Sequence, residues 1–207
     1  TGVPCTVPST SSPAWLVVSE VLRSGEAPTP LAADVVDLLD EWVADDAPRL
    51  DADDDGFNDH AGPTILDALW RPLADAVMGP VFGDLLDELD AIRDLDGSPE
   101  SASVSNPASS SYIDKDLRTL LGKEVEGKFN LSYCGEGDLE VCRESLWAVV
   151  DTVSQELSGE YGGDPSTWLK EGARLSFTPG LIPETFRATN RPTYQQVLDF
   201  APTAAEE

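Results

Sequence analysis

Apolar residues recur at helical spacing along most of this chain, and this period constrains the fold more than any other feature. The repeat of three and four residues runs through 31–42, 63–77 and 82–92, with Asp and Glu between many of the apolar positions. It returns over 113–121 and is longest over 139–157. Positions with this period lie on one face of a helix. The chain is therefore predicted to fold around amphipathic helices.

The last part of the chain has a different pattern. Pro, Gly, Thr and aromatic residues dominate there, and the short runs 173–178 and 193–200 suit strands better than helices. So few strands cannot form a well-covered sheet by themselves. We therefore expect them to complete a sheet begun in another chain or segment. Helices followed by strands predict an α+β fold.

Shifts in composition divide the chain into five predicted regions. They are an extended arm or linker over 1–30, a helical region with an acidic loop over 31–97, a Ser-rich loop over 98–112, a second helical region with a cysteine loop over 113–172, and terminal strands over 173–207.

The acidic loop, residues 51–62, has the spacing of a calcium loop. Carboxylates stand at its positions 1, 3, 5 and 9, and Gly56 stands at position 6, where an EF-hand-type loop bends sharply. Ca²⁺ takes six to eight hard oxygen ligands, which alternate side chains of a tight turn supply. The predicted ligands are Asp51, Asp53, Asp55 and Asp59, together with the backbone carbonyl of Phe57.

Position 12 of this loop is Gly62, where a regulatory EF-hand has a bidentate Glu. The last ligand must come from Asp67 or from water, which favours a static structural site over a calcium sensor. The alternative interpretation is an exposed acidic turn that binds no cation tightly, although carboxylates this dense repel one another without one.

Two of the three cysteines, Cys134 and Cys142, close a short loop and are predicted to form a disulfide. Such a bond requires an oxidising compartment and so favours an exported protein, whereas two buried thiols would also fit the cytosol. The spacing does not suit zinc. Cys5 remains, which in an exported protein suggests a partner cysteine on another segment.

The charge of the chain disfavours two classes of partner. There are 39 acidic and 13 basic residues, which gives a formal net charge of −26. Such a field repels phosphate backbones and anionic membranes, so nucleic-acid binding is not expected. No apolar run approaches the roughly 20 residues that a membrane span requires.

No complete active site is expected within this chain. Thr1 could act as an N-terminal nucleophile only at the start of a buried strand, and Gly2, Pro4 and Pro8 break strand pairing. The single histidine, His60, lies inside the acidic loop and forms no Ser-His-Asp pattern. We assign no catalytic residue.

Four stretches resemble the C-terminal part of the penicillin amidase (penicillin acylase) family. The first runs from Glu41-Trp42 through the acidic loop into Gly62-Pro63 and Trp70-Arg-Pro-Leu, and the second is Tyr133-Cys134-Gly135 with Cys142-Arg143. The third is Tyr161-Gly162-Gly163-Asp164-Pro165 with Trp168. The fourth is Thr189-Asn-Arg-Pro-Thr-Tyr-Gln-Gln-Val197. Together they span about three quarters of the chain. None of them is a catalytic motif.

This resemblance implies an N-terminal-nucleophile hydrolase of acyl-amide bonds, with an αββα sheet sandwich and maturation by cleavage. The nucleophile would be a Ser at the start of another chain or segment, with its α-amine acting as base through water. The present chain would be a secreted, calcium-bound scaffold segment, inactive alone and partnered by the remaining chain or chains, with Cys5 as a candidate bridge. The alternative is a non-enzymatic extracellular calcium-binding module that keeps this scaffold.

Overall fold

The structure of the 207-residue chain is a computed structural model that describes residues 12–86, 88, 107–125, 132–171, 174–175 and 186–187. Thr1, Cys5 and the stretch 189–197 lie outside these residues. So do most of the predicted terminal strands and the second half of the helical stripe predicted over 82–92.

Five α-helices make up most of the described chain. They are α1 (Ser12–Arg23), α2 (Pro30–Ala44), α3 (Gly62–Phe82), α4 (Pro107–Leu120) and α5 (Leu139–Tyr161). Single 3-10 turns precede and follow α5 at Cys134–Gly137 and Pro165–Thr167. The stripes predicted over 31–42, 63–77 and 139–157 lie within α2, α3 and α5, so the helical period identified these three elements.

Side-chain caps fix where two of the helices begin. Thr29 precedes α2, and its hydroxyl accepts a hydrogen bond from the amide of Ala32 at 3.2 Å. Asp138 precedes α5, and its carboxylate accepts from Glu140 and Val141. These bonds satisfy amides that have no partner within the first turn of a helix.

The helices share one hydrophobic core. Helix α5 packs against α1, α2 and α3, and α4 packs mainly against α1. Three tryptophans from different parts of the chain, Trp15, Trp42 and Trp168, are at most 1% exposed. Because each such ring removes a large apolar area from water, the burial of Trp168 fixes the chain after α5 to the helical body.

Helix α1 contradicts the predicted extended arm over 1–30 from Ser12 onward. Trp15, Val18 and Leu22 lie at helical spacing and are completely buried. The indole of Trp15 and the hydroxyl of Ser19 both donate hydrogen bonds to the carboxylate of Asp40 on α2. Burial of this apolar face outweighs the Ser, Thr and Pro content that suggested a linker.

Helix α4 corrects the predicted Ser-rich loop over 98–112, because it begins at Pro107 and includes the serines after it. Proline is tolerated in the first turn of a helix, where its missing amide would have no partner. Helix α3 also continues through Gly79 and Pro80 to Phe82, beyond the stripe predicted over 63–77. Both differences arise because packing of an apolar face outweighs local propensity.

The terminal region contributes two described segments. Arg174–Leu175 pairs antiparallel with Phe186–Arg187, with Arg174 opposite Arg187. These two-residue strands are too short to test whether a larger sheet forms, so the α+β class stays a prediction. Among the described helices, none has the length and apolarity needed to cross a membrane.

Candidate metal centre

The acidic loop connects α2 to α3 and is closed by backbone bonds. The amide of Asp59 donates to the carbonyl of Leu50 at 2.8 Å, across the base of the loop. Asp54 and Gly56 both have positive φ, of 67° and 100°. Gly56 adopts this conformation without strain, which is the property that the motif requires at position 6.

Three carboxylates converge on one side of this loop. Asp51, Asp53 and Asp59 each place an oxygen within 4.8 Å of the others. Backbone amides orient all three carboxylates: Gly56 donates to Asp51 at 3.0 Å, Asp55 donates to Asp53 at 3.3 Å, and Ala52 donates to both oxygens of Asp59. Clustered carboxylate oxygens are the donor set that Ca²⁺ prefers, so these residues fit the predicted ion.

Asp55 and Phe57 are placed differently from the three clustered carboxylates. The carboxylate of Asp55 accepts a hydrogen bond from the amide of Phe57 at 2.7 Å, and Asp55 is not a member of the cluster. The Phe57 side chain is 41% exposed, and its backbone forms a single antiparallel bridge with Glu171. The structure thus brings together three of the five predicted ligand residues.

Asp67, one of the two candidates for the last ligand, is not a member of the carboxylate cluster and is paired with two basic side chains. Its carboxylate accepts two hydrogen bonds from the Arg49 guanidinium, at 2.9 and 2.6 Å, and another from the ammonium of Lys170. Burial by itself raises the pKa of Asp67, but the hydrogen bonds and charges of Arg49 and Lys170 outweigh it and leave this pKa below its ordinary value. We call these three residues the Asp67 cluster.

A glycine at position 12 is required by the packing of α2 against α3. A Cβ atom on Gly62 would lie 2.3 Å from the ring of Trp42. The loop therefore has no room for the glutamate that ends a regulatory EF-hand. Since position 12 cannot provide a bidentate ligand, an ion here would keep more of its coordination from water.

His60 has a structural role beside the loop. Its Nδ1 atom accepts a hydrogen bond from the amide of Gly62 at 2.9 Å, and its ring stacks on Trp42 with 6.4 Å between the ring centroids. Burial lowers the pKa of His60 despite the opposing charges of Glu41 and Asp45. The neutral ring keeps the Nδ1 lone pair that this hydrogen bond needs.

The loop is also attached to the chain that follows α5, which sequence reasoning missed. Asn58 is 5% exposed, and both its backbone and its side-chain amide donate to the carbonyl of Lys170, at 3.0 and 3.3 Å. The same Lys170 reaches Asp67 with its ammonium group. These partners are more than 100 positions apart in sequence, and no local pattern signals such a pairing.

The second predicted site is present as a disulfide between Cys134 and Cys142, within this chain. Both cysteines are completely buried, next to the start of α5.

Comparison of the chain with protein-family models found no match, and comparison with curated proteins found none either. Any assignment to a family therefore depends on the residues of this chain itself.

Proposed function

We propose that this chain is the C-terminal scaffold segment of a secreted, penicillin-amidase-like hydrolase of acyl-amide bonds, whose catalytic Ser lies on another chain or segment. The observation that carries the proposal is the order of three features along the sequence. The acidic loop comes first, the cysteine loop follows, and the stretch 189–197 comes last, as in the family that the chain resembles.

The geometry supports a scaffold role in two ways. The acidic loop holds the residues that would bind Ca²⁺, namely Asp51, Asp53 and Asp59. The ion would neutralise clustered charge and cross-link the loop, without taking part in a reaction. Through Asn58, the same loop holds the segment at Lys170, which leads towards the predicted strands.

The calcium part of the proposal is tested by a matched pair of substitutions, Asp53→Asn and Asp54→Asn. Each removes one negative charge from the same loop, but Asp53 belongs to the carboxylate cluster and Asp54 does not. At a Ca²⁺ concentration of about 100 times the Kd, binding stabilises the folded state by about 2.7 kcal/mol. We expect Asp53→Asn to lose most of the calcium-dependent rise in Tm, and Asp54→Asn to retain it.

Thermal unfolding with Ca²⁺ and with a chelator, at constant ionic strength, measures this difference. After chelation the wild type and Asp53→Asn should melt at similar temperatures. Equal loss of the calcium response in both variants would indicate diffuse counterion binding and would contradict a site. An Asp53→Asn defect that persists unchanged in chelator would also contradict it.

The hydrolase part is tested by activity in two preparations. The complex isolated with all its native chains should hydrolyse chromogenic acyl-anilides, whereas this chain produced alone should not. Addition of a serine-reactive acylating agent should block the activity and modify a Ser on the companion chain. Activity of the isolated chain, or lack of activity in every complex that contains it, would contradict the proposal.

A second candidate function is a non-enzymatic extracellular calcium-binding module. One observation favours it: α1, α2, α3 and α5 already share a continuous core, so these helices bury apolar faces without help from a partner. Such a module should be monodisperse as an isolated chain and unfold cooperatively. Aggregation that a companion chain suppresses would instead favour the scaffold segment.

A further inference from the structure

The 3-10 turn Cys134–Gly137, which we call the disulfide turn, has an unusual backbone. Gly135 and Glu136 are consecutive residues with φ of 56° and 53°. A Cβ atom on Gly135 would lie 2.5 Å from the amide nitrogen of Cys142, so the turn lies directly against the first turn of α5. Non-glycine residues such as Glu136 adopt this conformation only where surrounding structure imposes it.

The disulfide supplies such a constraint. It joins Cys134, at the start of the turn, to Cys142 in the first turn of α5. The amide of Cys142 donates to the carbonyl of Asp138 at 3.0 Å, and the Asp138 side chain caps the same helix. The far end of the covalent bridge is therefore anchored to a capped helix.

The start of the turn and the residue before it direct two amides at a buried carboxylate on α4. Asp116 is 1% exposed, and its two oxygens accept hydrogen bonds from the amides of Tyr133 and Cys134, each at 2.9 Å. A buried carboxylate without such donors is strongly disfavoured. Burial raises the pKa of Asp116, and the two backbone hydrogen bonds only partly oppose that effect.

Apolar burial and a surface ion pair accompany these two hydrogen bonds on α4 and on the residues just after it. Ile113 and Leu117 pack their side chains into the core, and Lys123 after the helix pairs with Glu20 at the surface. An exposed pair of that kind contributes little. Tyr133, which directly precedes the disulfide turn, also stacks on Phe82 at the end of α3, so Tyr133 and the turn together join α3, α4 and α5.

We propose that the Cys134–Cys142 disulfide is a conformational latch that fixes the amides of Tyr133 and Cys134 on Asp116 and so docks α4 on the helical body. When the disulfide forms, the thiols of Cys134 and Cys142 give up two protons and two electrons. A second disulfide accepts them and is reduced to two thiols. This proposal is independent of calcium binding and of the hydrolase assignment.

Burial of the bond determines how the latch operates. Both sulfur-bearing residues are completely buried once the turn has closed, so a reductant reaches them only when the turn opens. The latch therefore closes once, in an oxidising compartment, and is not a reversible surface switch. In a reducing compartment α4 would remain poorly docked while α2, α3 and α5 keep their shared core.

Hydrogen exchange of the full chain, in the assembly in which it is isolated, tests the latch. We compare the wild type with the double substitution Cys134→Ser and Cys142→Ser, and use Val141→Ser, at an exposed position beside Cys142, as the control that leaves the disulfide intact. Amides of α4 and of the disulfide turn should exchange about 10 to 100 times faster in the double variant, and those of α2 should be unchanged. Unchanged exchange in α4, or equal acceleration in all helices, would overturn the proposal.

Asp116→Asn provides a second test that does not depend on whether the cysteine variant folds. The disulfide is intact in this protein, and a thiol reductant is added to it and to the wild type under mild denaturant. The two amides donate to different oxygens of Asp116, and asparagine has an NH2 group, which cannot accept, in place of one of them. One hydrogen bond is therefore lost and the latch is already weakened, so reduction should accelerate α4 exchange less than in the wild type. Equal acceleration in the two proteins would show that the disulfide does not act through Asp116.

Discussion

At the scale of single residues, the Asp67 cluster contributes most clearly to stability. Asp67 lies on α3, Arg49 precedes the acidic loop, and Lys170 follows α5, so one carboxylate joins three separate parts of the chain. The side chains of Arg49 and Asp67 are only 11% and 16% exposed. Removal of one partner from such a pair leaves a buried charge uncompensated.

We predict that Asp67→Asn lowers the free energy of unfolding by about 3 kcal/mol. The matched control is Asp75→Asn on the same helix, which breaks a half-exposed pair with Arg71 and should change stability by less than about 0.5 kcal/mol. Denaturant unfolding at neutral pH measures both. Similar values for the two variants would contradict the importance of the Asp67 cluster.

The effect of Asp67 on stability should also depend on pH. Because its folded pKa lies below the ordinary value of 3.8, the folded state binds its proton less readily than the unfolded state does. Its stabilisation is therefore complete above that ordinary value and is lost as pH falls through the lowered folded pKa. The difference in unfolding free energy between wild type and Asp67→Asn should be constant near neutrality and shrink in acid. A difference that grows in acid would contradict this assignment.

Substitution of alanine for Gly62 and for Gly159 should have opposite effects on the free energy of unfolding. A Cβ atom at Gly62 would collide with Trp42, whereas one at Gly159 in α5 would have nothing within 4 Å. Gly62→Ala should destabilise the protein by about 1–3 kcal/mol through overpacking. Gly159→Ala should stabilise it by about 0.5–1 kcal/mol, since alanine is the better helix former. Thermal melts that rank the two variants in the reverse order would contradict the packing described at Gly62.

At the scale of elements, the sequence predicts some helices well because their apolar faces are long. Positions such as Val35, Leu39 and Trp42 define α2 without any knowledge of its neighbours. Helix α1 was missed although Trp15, Val18 and Leu22 have the same spacing, because the Ser, Thr and Pro residues before them suggested a linker. Composition of neighbouring residues therefore misleads where a helix is short.

In the acidic loop, too, some features could be predicted from the sequence and others could not. Its ligand spacing is local, so the convergence of Asp51, Asp53 and Asp59 could be anticipated from the motif. Three other roles could not be anticipated, because each depends on a partner brought close by folding. Asp67 pairs with Arg49 and Lys170, Asn58 binds the carbonyl of Lys170, and Gly62 packs against the Trp42 ring. The pairing of Asp116 with the disulfide turn likewise required the structure.

At the scale of the whole molecule, the net charge affects how the proposed assembly could form. A net charge of −26 resists close approach of another acidic chain. Ca²⁺ at the acidic loop would cancel part of this charge beside the segment that leads to the predicted strands. The proposed enzyme would thus use this chain as a rigid, metal-stabilised surface on which a catalytic chain completes its sheet.

Native mass spectrometry of the complex isolated from its source, followed by denaturation and N-terminal sequencing of every chain, tests the central claim most directly. The account predicts that this chain co-purifies with, or is continuous with, a polypeptide that has a Ser at a processed N-terminus. It also predicts a mass excess of one calcium ion that a chelator removes. A single chain of 22.2 kDa with no companion would contradict the scaffold assignment and favour the independent calcium-binding module.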